Sequence, residues 1–182
     1  MKKIILTSVL SLLIISCLSS KRNNMQKRSF EFYTEYNQFY IEDSSDDKKG
    51  DTASTDFWSE DALSSRLALT NKIIGIGTQC YGNVKGEIEI LTKPSNVIDY
   101  SKYDHIVEGG INIQSGEMQI LNCTSRNLEM SLKLVPGTYR VRVYSSNLAS
   151  VIDDDGDDYY RIEVWPSDDM ERKVLKQYKN DL

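Results

Sequence analysis

Leu128-Glu129-Met130-Ser131-Leu132-Lys133-Leu134-Val135-Pro136-Gly137-Thr138-Tyr139-Arg140-Val141-Arg142-Val143-Tyr144 decides the fold. Apolar side chains recur at every second position on both sides of Pro136-Gly137: Leu128, Met130, Leu132 and Leu134 before it, Tyr139, Val141 and Val143 after it. A period of two sends successive side chains to opposite faces of a strand, so each run is expected to have one buried and one wet face. Proline fixes φ and glycine accepts φ > 0, which predicts a type II turn at Pro136-Gly137.

The same period extends outward in both directions. Strands are expected at 72–78, 86–91, 105–114, 117–122 and 159–165, with one or two earlier ones marked by Phe30, Phe32, Tyr36, Phe39, Tyr40 and Ile41. Ser115-Gly116 separates two of these runs and reads as a hairpin turn. One segment breaks the pattern. Ser59 is placed to cap a helix whose first turn carries Glu60 and Asp61, with Ala62, Leu63 and Leu67 at helical spacing and Phe57-Trp58 before the cap. Short strands at close spacing with a single helix predict a mainly β protein, an antiparallel β-sandwich of about eight strands and one short helix. The sandwich is expected over residues 29–166, followed by a C-terminal tail at 167–182.

The other end of the chain carries an address. Lys2 and Lys3 precede an apolar stretch from Ile4 to Ile15, and Ser16 stands directly before Cys17. About a dozen apolar residues fall short of the roughly 20 that span a bilayer as a permanent helix, so residues 1–16 are expected to be a removable lipoprotein signal peptide. Cys17 is then the lipidated residue, and residues 17–28, polar and basic, form a flexible tether. The expected location is the cell envelope, outside the cytoplasm, anchored to a membrane. Met25, followed by Gln26-Lys27-Arg28, offers an alternative cytosolic start.

Removing Lys2 and Lys3 reduces the 22 basic side chains to 20, against 27 acidic ones, a net charge of −7. Such a balance argues against direct nucleic-acid binding, which calls for a basic face, and favours a basic partner. Cys80 and Cys123, 43 positions apart, remain beyond the signal. A disulfide between them is one reading, contributing roughly 3 to 4 kcal/mol by closing the loop. Two separately buried thiols are the other.

No catalytic constellation emerges, and no cofactor or metal site is expected. Gly75-Ile76-Gly77 opens like a dinucleotide loop, but Cys80 takes the third glycine position and no helix follows, so the glycines read as close-approach positions within a strand. His105 is the single histidine, and without a nucleophile elbow it reads as a structural residue at the start of a strand. Asp153-Asp154-Asp155-Gly156-Asp157-Asp158 is the most conspicuous polar run. Aligning Gly156 with the sixth place of a calcium loop puts Val151 first and Ile162 last, neither able to ligate, so an EF-hand is excluded. Asp153, Asp154, Asp155, Asp157 and Asp158 instead read as a partner-binding surface, supported by Asp43, Asp46, Asp47, Asp168 and Asp169. A plain solvated loop and an irregular Ca²⁺ or small-ligand site are the alternatives. In Tyr159-Tyr160-Arg161-Ile162-Glu163-Val164-Trp165, the set Tyr160, Ile162 and Val164 is expected in the core, with Trp165 as an interface anchor or an edge shield.

Tyr36-Asn37-Gln38-Phe39, Phe57-Trp58-Ser59-Glu60-Asp61-Ala62, the hairpin Gly110 to Gly116 and the strand turn Leu132 to Tyr139 resemble the competence protein J group, a nuclease-inhibitor family. Tyr81-Gly82, Glu87 to Leu91, Tyr103 to Glu108 and Tyr139 to Tyr144 resemble a related widespread set of bacterial proteins of unknown function. The first resemblance implies an acidic partner that occupies and blocks a secreted DNA-degrading enzyme; the expectation for this chain is a non-enzymatic, membrane-tethered protein binder, an inhibitor or immunity factor for a basic exported nuclease or toxin. The Cys17 site and the Asp153–Asp158 run depart from that group's pattern.

Overall fold

In the computed structural model, which describes residues 26–45 and 56–179, the alternating runs become eleven strands. They are β1 (Gln26–Tyr33), β2 (Gln38–Asp43), β3 (Leu67–Leu69), β4 (Ile73–Gly77), β5 (Asn83–Ile90), β6 (His105–Ile113), β7 (Glu117–Asn122), β8 (Leu128–Lys133), β9 (Gly137–Ser146), β10 (Tyr159–Pro166) and β11 (Lys173–Lys176). One sheet has the order β1-β5-β10-β9-β6-β11 and the other β3-β4-β2-β7-β8. All pairings are antiparallel except β5 with β10. The expected signal peptide, Cys17 and Asp46-Asp47 lie outside the described residues.

The inward phase of the alternation fills the space between the sheets. Phe30, Phe32, Phe39, Ile41, Ile76, Ile88, Val141, Val143, Tyr160, Ile162 and Val164 belong to one buried cluster, with the Phe39 ring edge-on to Phe32 at 5.6 Å and to Tyr160 at 6.2 Å. Each such side chain contributes about 1.5 to 3 kcal/mol by leaving water, so this cluster is the main source of cohesion.

Both outer faces are partly covered as well, contrary to the expectation of a wet face on every strand. On the second sheet, Phe57, Trp58 and the helix α1 (Glu60–Ser64) close over Tyr40, Ala68, Ile73 and Leu121. Ser59 caps α1 as predicted, its Oγ accepting from the Ala62 amide at 3.3 Å. Leu67 lies beyond the helix and starts β3. Gly75 admits this cover, because a Cβ there would stand 2.7 Å from the Trp58 ring.

On the first sheet the outward residues of β6, β9 and β10 form a buried network of charges. Glu108 accepts from Arg140 Nε at 2.7 Å and Arg142 Nε at 2.5 Å, while Glu163 accepts from Arg161 at 2.8 Å and Tyr144 Oη at 2.8 Å. The Arg142 guanidinium lies 4.9 Å from the centre of the Trp165 ring, so Trp165 shields this network on the sheet. Ser95 and Tyr103 reach over from the β5–β6 connection to Glu163 and Arg161, and the 169–171 carbonyls cap Arg140. Burial of this kind needs every partner: removing one charge of a buried pair typically costs about 3 to 5 kcal/mol.

Several expected boundaries and turns change. β1 starts at Gln26, so Gln26-Lys27-Arg28 are strand and not tether; Lys27 faces outward, 2.8 Å from Glu87, while Arg28, in phase with Phe30, donates across to the Ser131 carbonyl of β8 at 3.0 Å. Within the expected tail, residues 167–179 are structured: β11 pairs with β6 and Tyr178 packs against the core. Gly116 adopts φ of +73°, as a hairpin turn requires. Gly137 does not take the positive φ of a type II turn: it pairs with Ile113 as the first residue of β9 and is extended there.

Candidate functional site

The acidic run forms a tight hairpin at one end of the sandwich. Ile152 and Asp155 exchange backbone hydrogen bonds of 2.9 and 3.3 Å, leaving Asp153 and Asp154 at the tip, with Asp153 in the left-handed region at φ of +57°. Aspartate tolerates that conformation better than most residues. The base is held by the Asp157 amide donating to Ser150 Oγ at 2.8 Å and Asn147 Nδ2 donating to the Asp157 carbonyl at 3.2 Å. Tyr81 donates its amide to the Asp154 carbonyl at 3.1 Å, and Thr34 donates to the Gly82 carbonyl at 2.8 Å. The segments around residues 34, 81 and 154 are thereby tied into one surface.

Of the five aspartates expected to meet a partner, Asp153, Asp154, Asp155 and Asp157 are exposed, while Asp158 is not. Only 1 % of Asp158 reaches solvent, and its Oδ2 accepts from the Gln79 amide (3.2 Å), the Cys80 amide (3.1 Å) and Tyr160 Oη (2.6 Å). It is an internal anchor, corrected from a contact residue, because a carboxylate removed from water is retained where donors converge on it. Asp43 is likewise internal, accepting from the Ser115 amide at 3.1 Å. Asp169 is engaged by Arg140 and Lys173.

Cys80 and Cys123 are separate buried thiols with no disulfide. Cys80 belongs to the cluster between the sheets and Cys123 to the cluster on the outer side of the second sheet, which keeps them apart. Burial, and then the Asp158 carboxylate, push the Cys80 thiol up to about 12, so it stays protonated and unreactive.

Around the hairpin stand aromatic side chains that the acidic run drew attention away from. Tyr33 and Tyr36 are 56 % and 64 % exposed, Ile152 is 76 % exposed, and the Tyr36 and Tyr81 rings lie 6.1 Å apart. With Asp153, Asp154 and Asp155, the residues Tyr33, Tyr81 and Ile152 line a hollow of about 380 Å³. Partial desolvation, followed by the Glu35 carboxylate, raises the Tyr81 phenol above its ordinary value, so the ring sits in a negative field. A signal for Tyr33 was present, since it falls on the opposite phase from Phe30 and Phe32. Among the described residues no three His, Cys, Asp or Glu side chains are placed to hold one metal ion.

The architecture has a counterpart among solved structures. A crystal structure of ComJ, inhibitor of the DNA degrading activity of NucA, from Bacillus subtilis, superposes with a TM-score of 0.58 at 16 % identity, covering 79 % of this chain and 98 % of that one. The fold is like that of ComJ. At this identity the likeness to ComJ concerns the fold, and at that level the resemblance read from the sequence holds. The protein of crocagin biosynthetic gene J is also similar, at 18 % identity and a TM-score of 0.48, covering 79 % and 99 % of the two chains. No protein-family model matches the sequence, and no curated protein does.

On this ComJ-like scaffold His105 is wholly buried and structural. Its Nδ1 accepts from the Tyr178 amide at 3.3 Å, which leaves Nε2 to donate to the Ser65 carbonyl at 3.0 Å. Burial holds its pKa below the ordinary 6.5, and Arg66 adds to the effect. A neutral ring is therefore the folded form, and its contribution to stability is complete above the ordinary imidazole value and declines as pH falls below it. Because the chain has one histidine, nuclear magnetic resonance reads it without assignment ambiguity. The Nε2–H tautomer and a titration midpoint below 6.5 are expected; the other tautomer or a higher midpoint contradicts this arrangement.

Proposed function

We propose that this chain is a non-enzymatic protein binder that blocks a basic exported nuclease or toxin, and that lipid on Cys17 holds it at a membrane surface. The ComJ-like fold carries the reading, since ComJ is an inhibitor of a DNA-degrading enzyme. Three observations support it. The exposed carboxylates of Asp153, Asp154 and Asp155 project together from one hairpin, where they imitate the phosphates that a nuclease expects. The net charge of −7 after signal removal attracts a basic protein over distances of about a Debye length, roughly 10 Å at 0.1 M salt. His105, the one imidazole, has both ring nitrogens engaged inside the protein.

The test uses the full chain, recovered from the membrane in mild detergent and added to the exported-protein fraction of the cells that make it. DNA-degrading activity is expected to fall in proportion to the added chain, with the inhibition weakening as salt rises from about 50 to 200 mM. Undiminished activity at excess chain contradicts the proposal. In the same cells Cys17→Ser is expected to abolish palmitate labelling and to shift the protein out of the membrane fraction; a native chain that takes up no label removes the anchor.

A further inference from the structure

We infer that the hollow walled by Tyr33 and Tyr81 and bordered by Tyr36 is the centre of the partner interface, and that it receives an arginine or lysine side chain from a basic protein surface. The inference rests on the protein-binding reading above and assigns it a place.

Four features converge there. First, tyrosine is over-represented among residues that dominate binding energy, and large apolar groups left in contiguous exposure mark interaction surfaces. Tyr33, Tyr36 and Ile152 are each more than half exposed, although buried positions for aromatic rings exist a residue away at Phe32. Second, the backbone at the turn is spent on display. Tyr36 and Asn37 have φ of +55° and +52°, and a bulky side chain in that region is a costly choice where asparagine or glycine would relax the chain. Third, the hollow is concave, about 380 Å³, and Tyr33 and Tyr81 line it together with Asp153, Asp154 and Asp155. A cation set over a tyrosine face gains from the ring quadrupole, and the carboxylates at the rim complete its pairing. Fourth, the surface is preorganised: the Thr34–Gly82 and Tyr81–Asp154 backbone bonds fix the three segments before any partner arrives, which lowers the ordering cost of association.

The carboxylates also discriminate between classes of partner. A single-stranded nucleic acid would stack on the same rings, but it would bring phosphates against Asp153, Asp154, Asp155 and Glu35. A guanidinium or ammonium group meets both the rings and the acids favourably.

The inhibition assay of the preceding subsection tests this with two pairs of substitutions. Tyr33→Thr with Tyr36→Asn removes the rings while keeping a β-former in β1 and a residue that accepts the left-handed turn. The inhibitory midpoint is expected to rise about 30-fold, the scale of a lost binding hot spot. Asp153→Asn with Asp154→Asn is expected to raise it about tenfold at low salt and much less at high salt. This second pair lies on the exposed tip and remains informative if the ring pair lowers the melting temperature. Leu128→Ser with Val135→Ser, at exposed positions outside this surface, is expected to change nothing. A photo-crosslinking residue at position 81 should join the nuclease, and one at position 135 should not. If both the ring and acid pairs inhibit as the native chain does, the surface lies elsewhere and this inference falls while the proposed function stands. If the native chain does not inhibit, both fall. If the ring pair loses binding to single-stranded DNA and position 81 yields no protein crosslink, the hollow stacks bases and the inference is overturned.

Discussion

The Asp158 carboxylate is the interaction on which the acidic-hairpin end of this molecule depends. It collects the amides of Gln79 and Cys80 and the hydroxyl of Tyr160, a core residue of β10. A carboxylate held by several donors is among the stronger hydrogen-bonding arrangements in a protein interior, and without it the buried Cys80 amide and Tyr160 hydroxyl would lose their acceptor. The hairpin that begins after Val151 is therefore attached at its far end to the core, and the 79–82 turn is attached to the same atom. What stands beyond Asp158 is free to be polar because Asp158 itself is anchored through Oδ2.

Much of the fold was legible in the chain. Met130 to Leu134 and Tyr139 to Val143 announce their inward faces by strict alternation, although Leu128, in the same phase, is left exposed where the β7–β8 register shifts; Ser59 with Glu60 and Asp61 announces α1, and Gly116 announces its turn. These signals are local, so they survive reading one segment at a time. The outward phase of β9 and β10 was legible only in part. Arg140, Arg142 and Glu163 share a face opposite the apolar core, but alternation reports sidedness and not what lies on top. Here it is the β5–β6 connection and residues 169–171, whose sequences have no period to betray their cover. β11 escaped for a similar reason: Lys173-Val174-Leu175-Lys176 is too short and polar to differ from a tail until β6 offers an edge.

The candidate surface shows the same division. Composition draws the eye to the acidic run, and four of its five aspartates are indeed exposed. It cannot separate Asp158 from Asp157, because their difference is made by distant partners at residues 79, 80 and 160. Nor can it gather Tyr33 and Tyr36 with Tyr81, which meet only when β1 pairs with β5 in the first sheet and sets Tyr33 opposite Asn83. A binding surface assembled from loop tips on a rigid sandwich leaves the scaffold to set position and the tips to set chemistry.

That division between carboxylates that hold and carboxylates that face outward is open to direct measurement by equilibrium unfolding in urea. Asp158→Ala is expected to lower stability by about 3 kcal/mol, the scale of several lost bonds to a buried charge, whereas Asp154→Ala should stay within about 0.5 kcal/mol of the native chain. Equal midpoints for the two variants would contradict the account, because they would mean that Asp158 anchors nothing that the exposed tip does not.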